Sequence, residues 1–336
     1  MFREQHLQEK LAELQEDYKF HNKRVKSLKK SLRIDDFTPQ KEIKLKMQIE
    51  EAKTQREEAA QQIEELNKQI EGLNKIIGSE QLYRVLLKLG YNDQVGLFLK
   101  LVNNQSVSAF LIHGASEYGQ DWLLNRLVGE YVPHIISGKK VNINLERKVR
   151  STDVSALWRE LGGRFNLCVK DIEDKTIQEI ADRVYRCWQT QNVLFVFHNV
   201  ECMPQVYLEE LIIEFWKPLT EKARNSSASK FQLLMFLVDY KGSVGSLDTL
   251  FSDQINSTKP YPIKPPEISK FDKETLSIWL QMNFVELPIK LKEQNPEDTA
   301  IAILEESKGI PEPVMTEIFN RCGFNYYEET DRQWKL

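Results

Sequence analysis

From the start of the chain, apolar and semi-polar residues recur in alternating steps of four and three. They fall at Leu7, Leu11, Leu14, Tyr18, His21, Val25, Leu28 and Leu32. A second run occupies Leu45, Ile49, Ala52, Arg56, Ala59, Ile63, Leu66, Ile70, Leu73 and Ile77. This spacing with charged flanks predicts two coiled-coil helices. Between them lies Asp35-Asp36-Phe37-Thr38-Pro39, with Thr38 suited to an N-cap and Pro39 to a first helical position. The short break predicts an antiparallel hairpin, which Gly78-Ser79 is expected to end. His21 falls on the seam and reads as a packed imidazole rather than a ligand.

The pattern then changes. Two short helical segments, Glu80–Leu89 and Asn92–Val102, flank Gly90-Tyr91. Beyond them come apolar runs of strand length: Ala109–His113, Val141–Leu145, Val193–Phe197 and Phe231–Val238. Helical patterns separate them at Trp122–Tyr131, Val154–Phe165, Thr176–Gln189 and Gln205–Ala223. Strands rich in Val, Ile, Leu and Phe, alternating with helices, predict an α/β domain with a mainly parallel sheet covered on both faces. The remainder reads as helical at Lys273–Asn283, Pro296–Ser307 and Val314–Cys322. The expected organisation is a coiled-coil helical hairpin (1–78), a short helical linker (79–106), an α/β domain (107–265) and a helical C-terminal subdomain (266–336).

Composition narrows the function classes. Of 336 residues, 29% are charged and the formal net charge is −4, which disfavours a nucleic-acid partner. A local exception is the basic face of Lys23, Arg24, Lys26, Lys29, Lys30 and Arg33, to which Arg147, Lys148 and Arg150 could add; it reads more simply as a solvated helix face. No apolar run is long enough for a membrane span. Cys168, Cys187, Cys202 and Cys322 lack C-x-x-C spacing, which argues against a zinc site or a disulfide framework and predicts a cytoplasmic protein.

The candidate chemistry sits after the first strand. Gly114-Ala115-Ser116-Glu117-Tyr118-Gly119 joins that strand to a helix in the G-x-x-x-x-G frame of a phosphate-binding loop. A working loop continues with a lysine for the phosphates and a hydroxyl for magnesium. Here the two positions are Gln120 and Asp121. Asp121 puts a carboxylate where the helix dipole favours negative charge, and Glu117 adds a second. The strand expected to carry the metal-binding acids ends instead in His198-Asn199, with Glu201 further on. No Ser–His–Asp, Cys–His or paired-carboxylate arrangement proposes another hydrolase.

FLIHGASEYGQDWLLNRLV, VLFVFHNV and FWKPLTEKARNSSASKFQLLMFLVDY resemble the inactive branch of the STAND-type P-loop NTPases, known from multidomain bacterial and notably cyanobacterial proteins. LYRVLLKLGYNDQVGLFLKLV resembles their helical lead-in. Ser307-Lys308-Gly309-Ile310-Pro311-Glu312-Pro313 resembles the G-x-P element of a helical or winged-helix lid. The resemblance spans roughly residues 80 to 330. It implies a P-loop NTPase-like fold in which Gly114, Gly119, Gln120, Asp121, His198, Asn199 and Pro311 form a vestigial pocket. No catalytic residue, metal or cofactor is expected. The implied role is a non-catalytic scaffold in bacterial signalling or defence, meeting protein partners or further copies of itself through the coil and the α/β domain. The alternative is a switch that binds nucleotide without hydrolysing it. Whether the hairpin closes on its own chain or on another copy stays open.

Overall fold

The computed structural model describes residues 2–34, 38–132, 137–147, 153–169, 174–225, 230–253, 255, 260–292 and 295–328. The expected break at Asp35–Phe37 and Lys148 and Arg150 of the basic group lie outside them. The chain divides into two compact units, Met1–Gln81 and Leu82–Leu336.

The first unit is built from α1 (Phe2–Ile34) and most of α2 (Pro39–Leu86). Its buried apolar side chains among the described residues, Val25, Ile49, Ala52, Ala59 and Leu66, all fall on the four-three positions read from the sequence. Gly78-Ser79 does not end the second helix, which runs unbroken to Leu86. A single helical glycine costs only about 1 kcal/mol. Ser79 turns its hydroxyl back to the Ile76 carbonyl at 3.0 Å, so neither residue presents an unpaired group that would force a stop.

The second unit is a three-layer α/β domain. Its strands are β1 (Val107–His113), β2 (Lys139–Asn144), β3 (Val193–His198) and β4 (Leu233–Asp239). All pair in parallel, in the order β1-β4-β3-β2. A short stretch around Ile263 extends the sheet beyond β1. The Leu111 amide donates to the Ile263 carbonyl, and the Ile263 amide to that of Ala109, both at 2.9 Å. Residues adjacent in space at β1 are therefore distant in sequence. Open α/β sheets gather ligand sites at the strand C-termini beside such a switch of order.

Alternation along the strands separates two cores. Phe110, Ile112, Val196, Phe236 and Val238 face one side, against the end of α2, α3 (Asn92–Asn104), α4 (Gln120–Tyr131) and the C-terminal helices. Leu111, Phe195, Phe197, Met235 and Leu237 face the other, against α5 (Val154–Arg164), α6 (Asp174–Trp188), α7 (Gln205–Glu210) and α8 (Lys217–Arg224). The single helix expected over Gln205–Ala223 contains a π-helical stretch at Leu211–Trp216, whose apolar side chains Leu211, Ile212, Phe215 and Trp216 are buried. Four buried indoles are paired. Trp158 donates to Glu210, Trp188 to the Phe231 carbonyl, Trp122 to the Tyr326 hydroxyl and Trp279 to the Val85 carbonyl.

The C-terminal part contains α9 (Lys273–Met282), α10 (Pro296–Ser307) and α11 (Pro311–Arg321). Asp272 and Asn295 cap the first two by accepting from Thr275 and Glu297 amides. Lys308 and Gly309 both adopt positive φ, which reverses the chain sharply and sets Pro311 at the start of α11.

Candidate functional site

The loop 114–119 lies at the C-terminal end of β1, and Gly119 stands at the N-cap of α4 with φ of 74°. Directly inside, Gln120 is almost completely buried. Its side-chain amide folds back and donates to the carbonyls of Gly114 at 3.0 Å and Ala115 at 2.9 Å, with a longer contact to that of Asp239. The side chain after the second glycine thus bonds the loop's own backbone.

Tyr91 covers the loop from outside. Gly90 and Tyr91 both have positive φ, a sharp turn between α2 and α3 that directs the tyrosine ring inward. Its hydroxyl donates to the Tyr118 carbonyl at 3.1 Å and approaches that of Gly119. A Cβ built on Gly119 would stand 2.3 Å from this oxygen, with Pro311 next at 3.5 Å. The C-terminal part also bonds the loop directly, because the Glu312 amide donates to the Glu117 carbonyl at 3.0 Å.

Next to the loop, the Tyr240 hydroxyl donates to the Asp121 carboxylate. His198 Nδ1 lies 2.6 Å from the same hydroxyl oxygen and 3.6 Å from Asp121. With the Tyr240 proton committed to Asp121, the short contact requires Nδ1–H as the donor. Burial lowers the His198 pKa, partly opposed by Asp121. Burial raises that of Asp121, opposed by Tyr240 and His198. These groups are mutually satisfied and include no activated nucleophile.

Asn199 follows with φ of 58°, and its side chain donates to Asn144 Oδ1 at 2.9 Å. A cavity of about 430 Å³ opens here, bounded by Asp121, Asn125, Asn142, Asn144, His198 and Asn199. Glu201 accepts from the Tyr240 amide at 3.2 Å, and burial raises its pKa. The acid that does end a strand is Asp239, at the tip of β4. It is fully buried, and its two oxygens accept from the amides of Lys241, Gly242 and Val244. Among the described residues, no three His, Cys, Asp or Glu side chains converge to hold a metal ion.

Residues 86–238 match the family model described as inactive STAND. The matched segment contains the loop, β3 and all but the last residue of β4. A solved structure, the Walker-type ATPase PABY2304 of Pyrococcus abyssi, is similar at 16% identity and a TM-score of 0.39, covering 73% of this chain and 71% of that one. No curated protein sequence matches the chain. Within the matched segment, the structure gathers Gly114, Gly119, Gln120, Asp121, His198 and Asn199 at one end of the sheet. Pro311, which lies outside the matched segment, reaches Gly119.

Sequence reasoning missed Tyr91, Asp239, Tyr240 and Glu312. Reading the last strand as ending at Val238 left Asp239 and Tyr240 in a loop; the register instead pairs Asp239 with His113. Glu312 is identifiable only through its neighbours. Burial raises its pKa, and the charges of Asp121 and Glu117 raise it further. A carboxyl whose folded pKa exceeds its unfolded value costs stability only once it ionises. That cost is absent in acid, appears as pH rises past the ordinary value of 4.5, and is complete above the raised value. Glu312→Gln is therefore expected to raise Tm by about 1–2 °C at pH 7.5 and to lose this effect near pH 4. Thermal scans across that range check it; a drop in Tm at neutral pH contradicts it.

Proposed function

We propose that the chain is a non-catalytic scaffold or adaptor, in which a P-loop-like domain and a coiled hairpin serve protein–protein contacts in a bacterial signalling or defence assembly. The observation that carries this reading is the internal use of Gln120. Its amide bonds the backbone carbonyls of the loop, where a nucleotide-binding loop presents a lysine ammonium to phosphates.

The surrounding residues do not fit a nucleoside triphosphate and magnesium. Asp121, Glu117 and Glu312 bring negative charge to one another's vicinity, as the raised Glu312 pKa records. The Tyr91 hydroxyl lies against the loop at Gly119. Asp239, the acid at a strand end, has its oxygens engaged by three backbone amides. Read together, these features disable the positions that would hold phosphate and metal, and the domain becomes a fixed surface.

Titration calorimetry with ATP and Mg²⁺ is expected to show no binding up to about millimolar nucleotide, and thermal melts no shift. A saturable binding isotherm would overturn the reading in favour of the nucleotide-binding switch. The available backbone amides of a P-loop are what would support that second reading.

A further inference from the structure

The solvent-facing side of α1 carries an order that neither the coil seam nor the P-loop-like domain uses. Seam positions run Leu7, Leu11, Leu14, Tyr18, His21, Val25 and Leu28. Two residues further along each step, about 200° around the helix, lies a second line of Glu9, Glu13, Glu16, Phe20, Lys23, Ser27 and Lys30. All seven side chains are exposed. The three before Phe20 are acidic, both charged residues after it are basic, and Phe20 has 60% of its surface in solvent.

A solvated helix face has no reason to sort its charges by sign about one exposed aromatic ring. We infer that this face binds a second copy of the same chain, α1 against α1, antiparallel, with the two-fold axis at Phe20. A two-fold interface must be self-complementary: whatever residue i meets on the partner, that partner residue meets i in return. A helix acidic before its centre and basic after it satisfies this only in the antiparallel sense. Phe20 then packs on the partner's Phe20, Glu16 opposes Lys23, and Glu9 opposes Lys30, each ion pair occurring twice. A parallel arrangement would set like charges opposite one another along the whole line.

The chemistry favours this occupant over a nucleic acid or an anionic lipid surface. Either of those would attract Lys23 and Lys30 but repel Glu9, Glu13 and Glu16 on the same face. The inference uses α1 alone and is independent of what the P-loop-like domain does.

The test is sedimentation equilibrium of the full chain in about 50 mM and about 500 mM salt. Self-association is expected, and it should weaken at least tenfold at the higher salt. Lys23→Glu with Lys30→Glu makes the face uniformly acidic; Glu9→Lys, Glu13→Lys and Glu16→Lys together make it basic. Each variant alone is expected to be monomeric, and mixing the two is expected to restore a dimer, a result that misfolding cannot mimic. Phe20→Ala should weaken the wild-type dimer by about tenfold. A monomeric wild-type chain at about 100 µM in low salt overturns the inference, as do charge variants that still dimerise alone or fail to pair when mixed while circular dichroism shows intact helices.

Discussion

Alanine at Gly119 is expected to cost the α/β domain about 3 kcal/mol, and removing the Tyr91 hydroxyl is expected to return roughly half of that. Two effects combine at this position. With φ at 74°, any side chain sits in the left-handed region, which costs about 1–2 kcal/mol. The new Cβ also meets the Tyr91 hydroxyl oxygen at 2.3 Å, far inside contact distance. Phenylalanine at 91 removes that oxygen, and the remaining neighbours, Pro311 at 3.5 Å and the Tyr91 ring carbon at 3.6 Å, are ordinary contacts. In the Tyr91→Phe background, Gly119→Ala should therefore cost only the conformational part. Urea unfolding followed by tryptophan fluorescence measures the cycle, since no tryptophan precedes Trp122. Additive single effects would show that the two residues do not meet as described.

The second large effect is expected at Asp239. Replacing it with alanine strips three backbone amides of their acceptor in a turn that closes over β4, at about 3 kcal/mol. Asn is expected to cost less, because its carbonyl keeps the pair of bonds from Lys241 and Gly242 while its NH₂ faces the Val244 amide. The ordering Asp, Asn, Ala in urea midpoints, unchanged by Mg²⁺, is the expected result. Stabilisation of the wild type by millimolar Mg²⁺ that Asp239→Asn abolishes would identify the carboxylate as a metal ligand instead.

Much of the fold was legible because the chain's periodicities are clean. The four-three spacing contained the buried apolar positions of the two N-terminal helices, and the strand runs predicted a mainly parallel sheet, whose strand pairs are all parallel. Gly78-Ser79 misled because glycine only weakens a helix, and Leu82, Val85 and Leu86 beyond it are buried side chains of the next core. The π-helical stretch was invisible because Leu211–Trp216 carries the same apolar pattern as an ordinary buried helix turn. At the site, residues within the loop could be named from the G-x-x-x-x-G frame. Tyr91 and Glu312 could not, because each reaches the loop from a distant segment through a turn set by consecutive positive φ values, at Gly90-Tyr91 and at Lys308-Gly309. No local pattern encodes that convergence. Gln120 was read as a missing charge, whereas the structure shows an amide with partners of its own.

The seat of the Tyr91 hydroxyl against Gly119 also bears on how such a chain can change over generations. A lysine arriving at position 120 would break the bonds that Gln120 makes and enter a buried position before any anion was there to receive it. Glutamine at 312 would relieve charge without making room, and phenylalanine at 91 would make room while leaving the acids. On the proposed reading, an open loop therefore requires all three changes together.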